Sequence, residues 1–137
     1  MAPQDTPKHE HHPTRWLWVF LGAVLMGGIA LGAVYLARET GIMARVSDPR
    51  AQFWVFELGT GLGYFIGGFA VAVLSPGKTT REPMYAAMLA FAAQTIFLLA
   101  GEIIESLPAT AFLMMLAIDG GMAYLGAWLG EKVTGEA

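Results

Sequence analysis

Residues 57–68 read Glu57-Leu58-Gly59-Thr60-Gly61-Leu62-Gly63-Tyr64-Phe65-Ile66-Gly67-Gly68, a run of glycines and one acid among apolar side chains. If the run is helical, successive residues turn by about 100°, so Gly59, Gly63 and Gly67 form one stripe. Gly61 and Gly68 form a second stripe on another face. Small residues let neighbouring helices approach closely, and in lipid no water competes for the helical hydrogen bonds. The run therefore predicts the central helix of a membrane bundle.

The composition is typical of a membrane protein. Hydrophobic residues make up 55% of the 137 residues and charged residues 14%, with a mean hydropathy of +0.53; soluble domains are about one quarter charged. The net charge is −3 and the eight Lys and Arg are scattered along the chain, so the sequence offers no basic surface for nucleic acid. The expected partner is the lipid bilayer.

Four apolar segments are long enough to cross a membrane. A helix rises about 1.5 Å per residue, so about 20 residues span a hydrocarbon core of about 30 Å. The predicted helices cover residues 16–37, 53–74, 83–104 and 109–130. We expect residues 1–15 to be a disordered polar tail, residues 16–132 a four-helix transmembrane domain and residues 133–137 a second tail. The predicted fold is an all-α integral membrane protein, a compact four-helix transmembrane bundle with glycine-rich close helix packing.

Small residues recur on all four predicted helices. Gly28 and Gly32 form a small-xxx-small face on the first helix, which we expect to meet a glycine face of the second. The predicted packing positions are Gly28, Gly32, Gly59, Gly63, Gly67, Gly126 and Gly130. This is more close-packing surface than one small bundle needs, which favours assembly with other membrane subunits or with copies of the chain.

Asp119 lies near the middle of the fourth predicted helix, where an aspartate costs about 2.5–3.5 kcal/mol on insertion scales. It must face protein or water, and Gln94 lies at a matching depth on the third helix. We expect a hydrogen bond between Gln94 and Asp119. Two interpretations of Asp119 stay open: a proton or cation site, since burial disfavours the charged carboxylate, or a protonated acid that holds helices together.

Three further acids are expected on the outer side of the membrane. Glu57 lies about one turn into the second predicted helix, and Glu102 and Glu105 lie in the third connection. The favoured interpretation of Glu57 is that it snorkels to the surface and pairs with Arg45 or Arg50. An outer cation site is the alternative.

The distribution of basic residues favours both termini in the cytoplasm. Five basic residues lie in the N-terminal tail, second connection and C-terminal tail, and three lie in the first connection: Lys8, Arg15, Lys78, Arg81 and Lys132 against Arg38, Arg45 and Arg50. The segment from Gly67 to Pro83 resembles small bacterial multipass proteins, which implies the bacterial inner membrane and no particular function.

The sequence lacks the parts of most enzyme sites. It contains no cysteine, and its three histidines all lie in the N-terminal tail, so no Ser-His-Asp or Cys-His set and no intramembrane haem ligand are expected. Gly77-Lys78-Thr79 ends like a Walker A loop, but residue 72 is alanine where that motif needs glycine. We expect a non-enzymatic protein with no cofactor and no metal site.

Two functions remain in view. The leading hypothesis is a small multipass protein that acts by helix packing, as an accessory or structural subunit of a larger membrane complex or as a homo-oligomer. The alternative is a small proton- or cation-coupled transporter or channel that uses Asp119, with Gln94 as its modulator.

Overall fold

The computed structural model of the chain describes residues 14–76, 81–100 and 108–135. This part of the chain contains five helices and no strand: α1 (Trp16–Glu39), α2 (Ile42–Arg45), α3 (Pro49–Leu74), α4 (Arg81–Ala100) and α5 (Ala109–Val133). The four long helices are apolar and long enough to cross a bilayer. The predicted all-α class with four candidate membrane spans is confirmed, and the four helices indicate a membrane location. The predicted tail at residues 1–13 lies outside the described residues.

Helix α3 begins at Pro49, before the predicted start at residue 53. The Asp48 side chain caps this end, accepting a hydrogen bond of 3.2 Å from the backbone N–H of Arg50. Proline suits the first turn because it has no N–H to leave unpaired there. The earlier start places Glu57 more than two turns into the helix, deeper than the sequence suggested.

The first connection contains the short helix α2, which was not predicted. Gly41 precedes it with φ of 68°, a left-handed conformation that glycine adopts without steric cost. The side-chain Nε2 of Gln52 donates to the carbonyl oxygens of Met43 (3.2 Å) and Val46 (2.6 Å). These two bonds tie α2 to the first turn of α3.

The long helices alternate in direction. The N-terminal ends of α1 and α4 meet, because the Arg15 N–H donates to Glu82 Oε1 (3.3 Å) and the Trp16 and Tyr85 rings stack with centroids 6.1 Å apart. Helix α3 has the most extensive contacts, chiefly with α5 and α1, whereas α4 packs mainly against α1. The core between them is built from apolar side chains such as Met26, Tyr64 and Phe91.

Several glycines lie where two helices approach closely. A Cβ atom added at Gly63 would lie 2.8 Å from the Ala30 nitrogen of α1, and one at Gly130 would lie 2.8 Å from the Phe69 oxygen of α3. At Gly67 it would overlap Met26, and at Gly126 it would overlap the main chain of α3. At Gly59 it would make an ordinary contact of 3.4 Å with Ala33.

Gly28 and Gly32 do not meet α3 as expected. A Cβ atom added at either position would have no described atom of another element within 4 Å. The face of α1 that packs on α3 instead carries Met26 and Ala30, both fully buried. The small residues of α1 occur on more than one face, and sequence spacing alone does not say which face turns inward.

Candidate functional site

Five polar side chains are buried together in the centre of the bundle. Three come from α3, one from α4 and one from α5, and their exposed fractions are at most 2%: Glu57, Thr60, Tyr64, Gln94 and Asp119. We call this set the polar cluster. Polar groups shielded from both water and lipid are costly unless they are paired, so their grouping in one place is the main chemical feature of the molecule.

Helical spacing on α3 builds the cluster. Glu57, Thr60 and Tyr64 are three and then four residues apart, which places them on one face of the helix. A Cβ atom added at Gly61 would lie 3.9 Å from Asp119 Oδ1. The absence of a side chain at Gly61 therefore leaves room for the carboxyl group of α5 against α3, one turn from Glu57.

Two hydroxyl groups in the cluster have clear hydrogen-bond partners. The Tyr64 hydroxyl donates to Gln94 Oε1 at 3.2 Å. The Thr60 hydroxyl lies close to the Asp119 carboxyl group but donates to the backbone carbonyl oxygens of Phe56 and Glu57, both at 3.2 Å. These bonds fix the cluster on α3 and link α3 to α4.

The predicted hydrogen bond between Gln94 and Asp119 is wrong. Gln94 Oε1 is used by Tyr64, and neither Gln94 Nε2 nor either Asp119 oxygen has a partner among the described residues. Helix α4 packs mainly against α1 and less against α5, which turns Gln94 toward α3. The two residues share a depth in the membrane but face different neighbours.

The predicted surface position of Glu57 is also wrong. Its exposed fraction is 1%, and neither carboxyl oxygen has a hydrogen-bond partner within the described ranges. The side chain points inward to the polar cluster instead of pairing with Arg45 or Arg50. Glu102 and Glu105, the other two acids of the expected outer group, lie outside the described residues.

Glu57 and Asp119 are close enough for their charges to interact. Two carboxylates that share a buried site repel each other, so one of them is readily held in its protonated form. Four carboxyl oxygens with no hydrogen-bond partner in the described part of the chain can accept or release a proton between them. Across the described residues, no three Asp, Glu, His or Cys side chains come together as a metal site.

An apolar groove approaches the cluster from the N-terminal ends of α3 and α5. It has a volume of about 370 Å³, and its lining includes Arg50, Phe53, Trp54 and Met114. Phe53 precedes Glu57 by one helical turn and packs against the buried core. The Phe53 side chain therefore lies between the groove and the first acid of the cluster.

Sequence reasoning missed Thr60 and Tyr64. The signal was present, since both share a helical face with Glu57 at spacings of three and seven residues. It was overlooked because Glu57 was assigned to the membrane surface, and a surface acid needs no polar neighbours at depth. Placing Glu57 inside the bundle makes the whole stripe a buried one.

The class that the fold defines is an all-helical protein with four apolar helices, compatible with a small multipass membrane protein. No protein-family model matches the chain, and no curated protein or solved structure is significantly similar to it.

Proposed function

We propose that this chain is a small proton-coupled transporter or channel in which Asp119 and Glu57 form the proton-exchanging pair. The observation that carries the proposal is the presence of two neighbouring, fully buried carboxyl groups without hydrogen-bond partners among the described residues. Ionisable residues at membrane depth are expensive, and they mark ion or proton pathways more often than they serve structure alone. From the sequence, Asp119 had no second acid at its depth, and Glu57 now supplies one.

A proton fits the cluster better than a metal ion. Arg50 lines the groove nearest to Glu57, so a cation entering there would meet a like charge. A proton needs no set of ligands and can move between carboxyl groups through hydroxyl groups or water. The polar cluster is closed to solvent here, so transport requires a second conformation in which one end opens.

The test is proton flux into vesicles that contain the purified chain and a pH-sensitive dye, driven by an imposed potential. We expect Asp119→Asn and Glu57→Gln each to lower the flux at least tenfold, because an amide keeps the shape of the side chain but carries no exchangeable acid. Glu39→Gln, at the exposed end of α1, is the matched control and should leave the flux unchanged. Wild-type flux equal to that of protein-free vesicles, or equal flux in Asp119→Asn, would refute the proposal.

The second candidate function is the packing role, as an accessory subunit of a membrane complex or a homo-oligomer. It is supported by the open face of α1 at Gly28 and Gly32, which a second chain would cover, and by the close glycine contacts of α3 with α1 and α5. Such small-residue faces let membrane helices associate by van der Waals packing. We further propose a bacterial inner membrane location and a non-enzymatic protein.

The packing role is tested by the mass of the chain in mild detergent and in native membrane extracts. We expect a species larger than one chain, and Gly32→Leu should reduce its proportion because a large side chain keeps helices apart. A lone monomer in both preparations would count against this role. The proton-flux result does not depend on this outcome, so the two candidates are judged separately.

A further inference from the structure

A second groove lies on the opposite side of the bundle, between α1 and α4. Its volume is about 400 Å³, within the range of about 300–1,000 Å³ that is typical of small-molecule sites. Small residues such as Gly28 and Ala90 form its floor, and Phe20 and Phe97 lie toward its two ends. Both phenylalanine rings are more than half exposed.

Gln94 is the one polar side chain in the described lining of this groove. Its Oε1 accepts the Tyr64 hydrogen bond, and its Nε2 finds no acceptor in the described part of the chain. With an exposed fraction of 2%, this amide is a buried donor that lacks its hydrogen bond. A ligand that brings an acceptor into the groove would satisfy it.

The depth of the groove restricts the source of that acceptor. Gly28 is central in α1, which spans Trp16–Glu39, so this part of the groove lies near the middle of the membrane. Phospholipid ester groups lie at the edge of a hydrocarbon core of about 30 Å, roughly 15 Å away. The acceptor must therefore belong to a molecule that dissolves wholly in the hydrocarbon core.

We propose that the α1–α4 groove binds a membrane-dissolved carbonyl compound of the quinone class, whose carbonyl oxygen accepts a hydrogen bond from Gln94 Nε2. The floor of small residues accommodates a flat ring, and the elongated apolar groove accommodates an isoprenoid tail. A transmembrane helix of a second chain fits less well, because Phe20 and Phe97 project at both ends. The proposal is independent of the proton-exchanging pair.

The test is native mass spectrometry of the full chain released from detergent, with a ubiquinone carrying two isoprene units as the probe. Geranylbenzene, a hydrocarbon of similar shape without an acceptor, is the control ligand. We expect one ubiquinone per chain and at least fivefold weaker binding of geranylbenzene. Gln94→Leu should weaken ubiquinone binding about fivefold, the effect of one hydrogen bond.

Gly28→Leu and Gly32→Leu form a matched pair of variants. Both positions are open, with no described atom of another element within 4 Å of an added Cβ, so both variants should fold. Gly28 lines the groove and Gly32 does not, so Gly28→Leu should abolish ubiquinone binding and Gly32→Leu should retain it. Equal binding of geranylbenzene, retained binding in Gly28→Leu, or a dimer that binds no ubiquinone would each overturn the proposal.

Discussion

At the scale of single residues, the chemistry of the molecule depends on what faces Asp119. The sequence predicted that this acid lies at membrane depth and faces protein, because its position in an apolar helix can be counted. It did not predict the neighbours correctly, because depth depends on residue number whereas contact depends on how each helix is rotated. Gln94 shows the difference, since it lies at the expected depth and bonds to Tyr64 instead.

The glycines of α3 give a stability prediction at this scale. Gly63→Leu should lower the stability of the folded chain by about 1–3 kcal/mol, because its side chain would press on the α1 backbone at Ala30. The substitution raises intrinsic helix propensity by nearly 1 kcal/mol, so the two effects oppose each other. Thermal unfolding in detergent, followed by circular dichroism, measures the net result.

Gly121→Leu on α5 is the matched control for Gly63→Leu. The position is exposed, and a Cβ atom there would meet no atom within 4 Å in the described structure, so only the propensity gain remains. Its midpoint temperature should equal or exceed that of the wild type. A Gly63→Leu variant as stable as Gly121→Leu would mean that α3 does not pack on α1 at this point. The loop position Gly77, an obvious alternative control, lies outside the described residues.

At the scale of helices, the sequence predicted the existence of the four long elements better than their ends and orientations. An apolar run of membrane length leaves few alternatives to a helix. The start of α3 was misplaced because residues 49–52 are largely polar, although Asp48-Pro49 is a recognisable helix-start signal. The inward face of α1 was misassigned to Gly28 and Gly32, because alanine and methionine pack as closely as glycine where the neighbouring helix itself supplies glycine.

The connection between α1 and α3 gives a prediction at this scale. Gln52→Leu removes two hydrogen bonds from the Gln52 amide to the carbonyl oxygens of Met43 and Val46. We expect faster hydrogen–deuterium exchange across residues 41–48, with a loss of global stability of about 1–2 kcal/mol. Hydrogen exchange read by mass spectrometry measures the local effect.

Glu39→Gln changes an exposed side chain close to the same connection and is the control for Gln52→Leu. It should leave exchange in residues 41–48 at the wild-type rate. If Gln52→Leu also exchanges at that rate, the amide does not hold α2 in place. A loss of stability far above the expected range would instead show that the connection supports the entire bundle.

At the scale of the whole molecule, α3 combines three tasks on three faces. One face packs closely on α1, a second on α5, and a third carries the acids and hydroxyl groups of the polar cluster. Close packing on two sides excludes lipid from the third, which keeps the cost of the buried acids from becoming a direct contact with hydrocarbon. The glycine-rich composition and the buried acids are therefore parts of one arrangement.

The arrangement of helix ends yields a prediction about membrane topology. Because the N-terminal end of α1 meets that of α4 and Gly130 of α5 lies beside the C-terminal part of α3, Arg15 and Thr134 lie on one side of the membrane. Ser47, in the first connection, lies on the other. The larger number of basic residues on the Arg15 side favours that side as the cytoplasmic one.

Single cysteines test this topology cleanly, since the chain has none of its own. Ser47→Cys and Thr134→Cys place a thiol at exposed positions on the two sides. In intact cells, a membrane-impermeant maleimide should label only the Ser47→Cys variant, and after permeabilisation it should label both. Labelling of both variants in intact cells would contradict the alternating arrangement of helices, because it places the two sites on one side. Labelling of Thr134→Cys alone would preserve the bundle and reverse its orientation, showing that the difference of two basic residues does not set the topology.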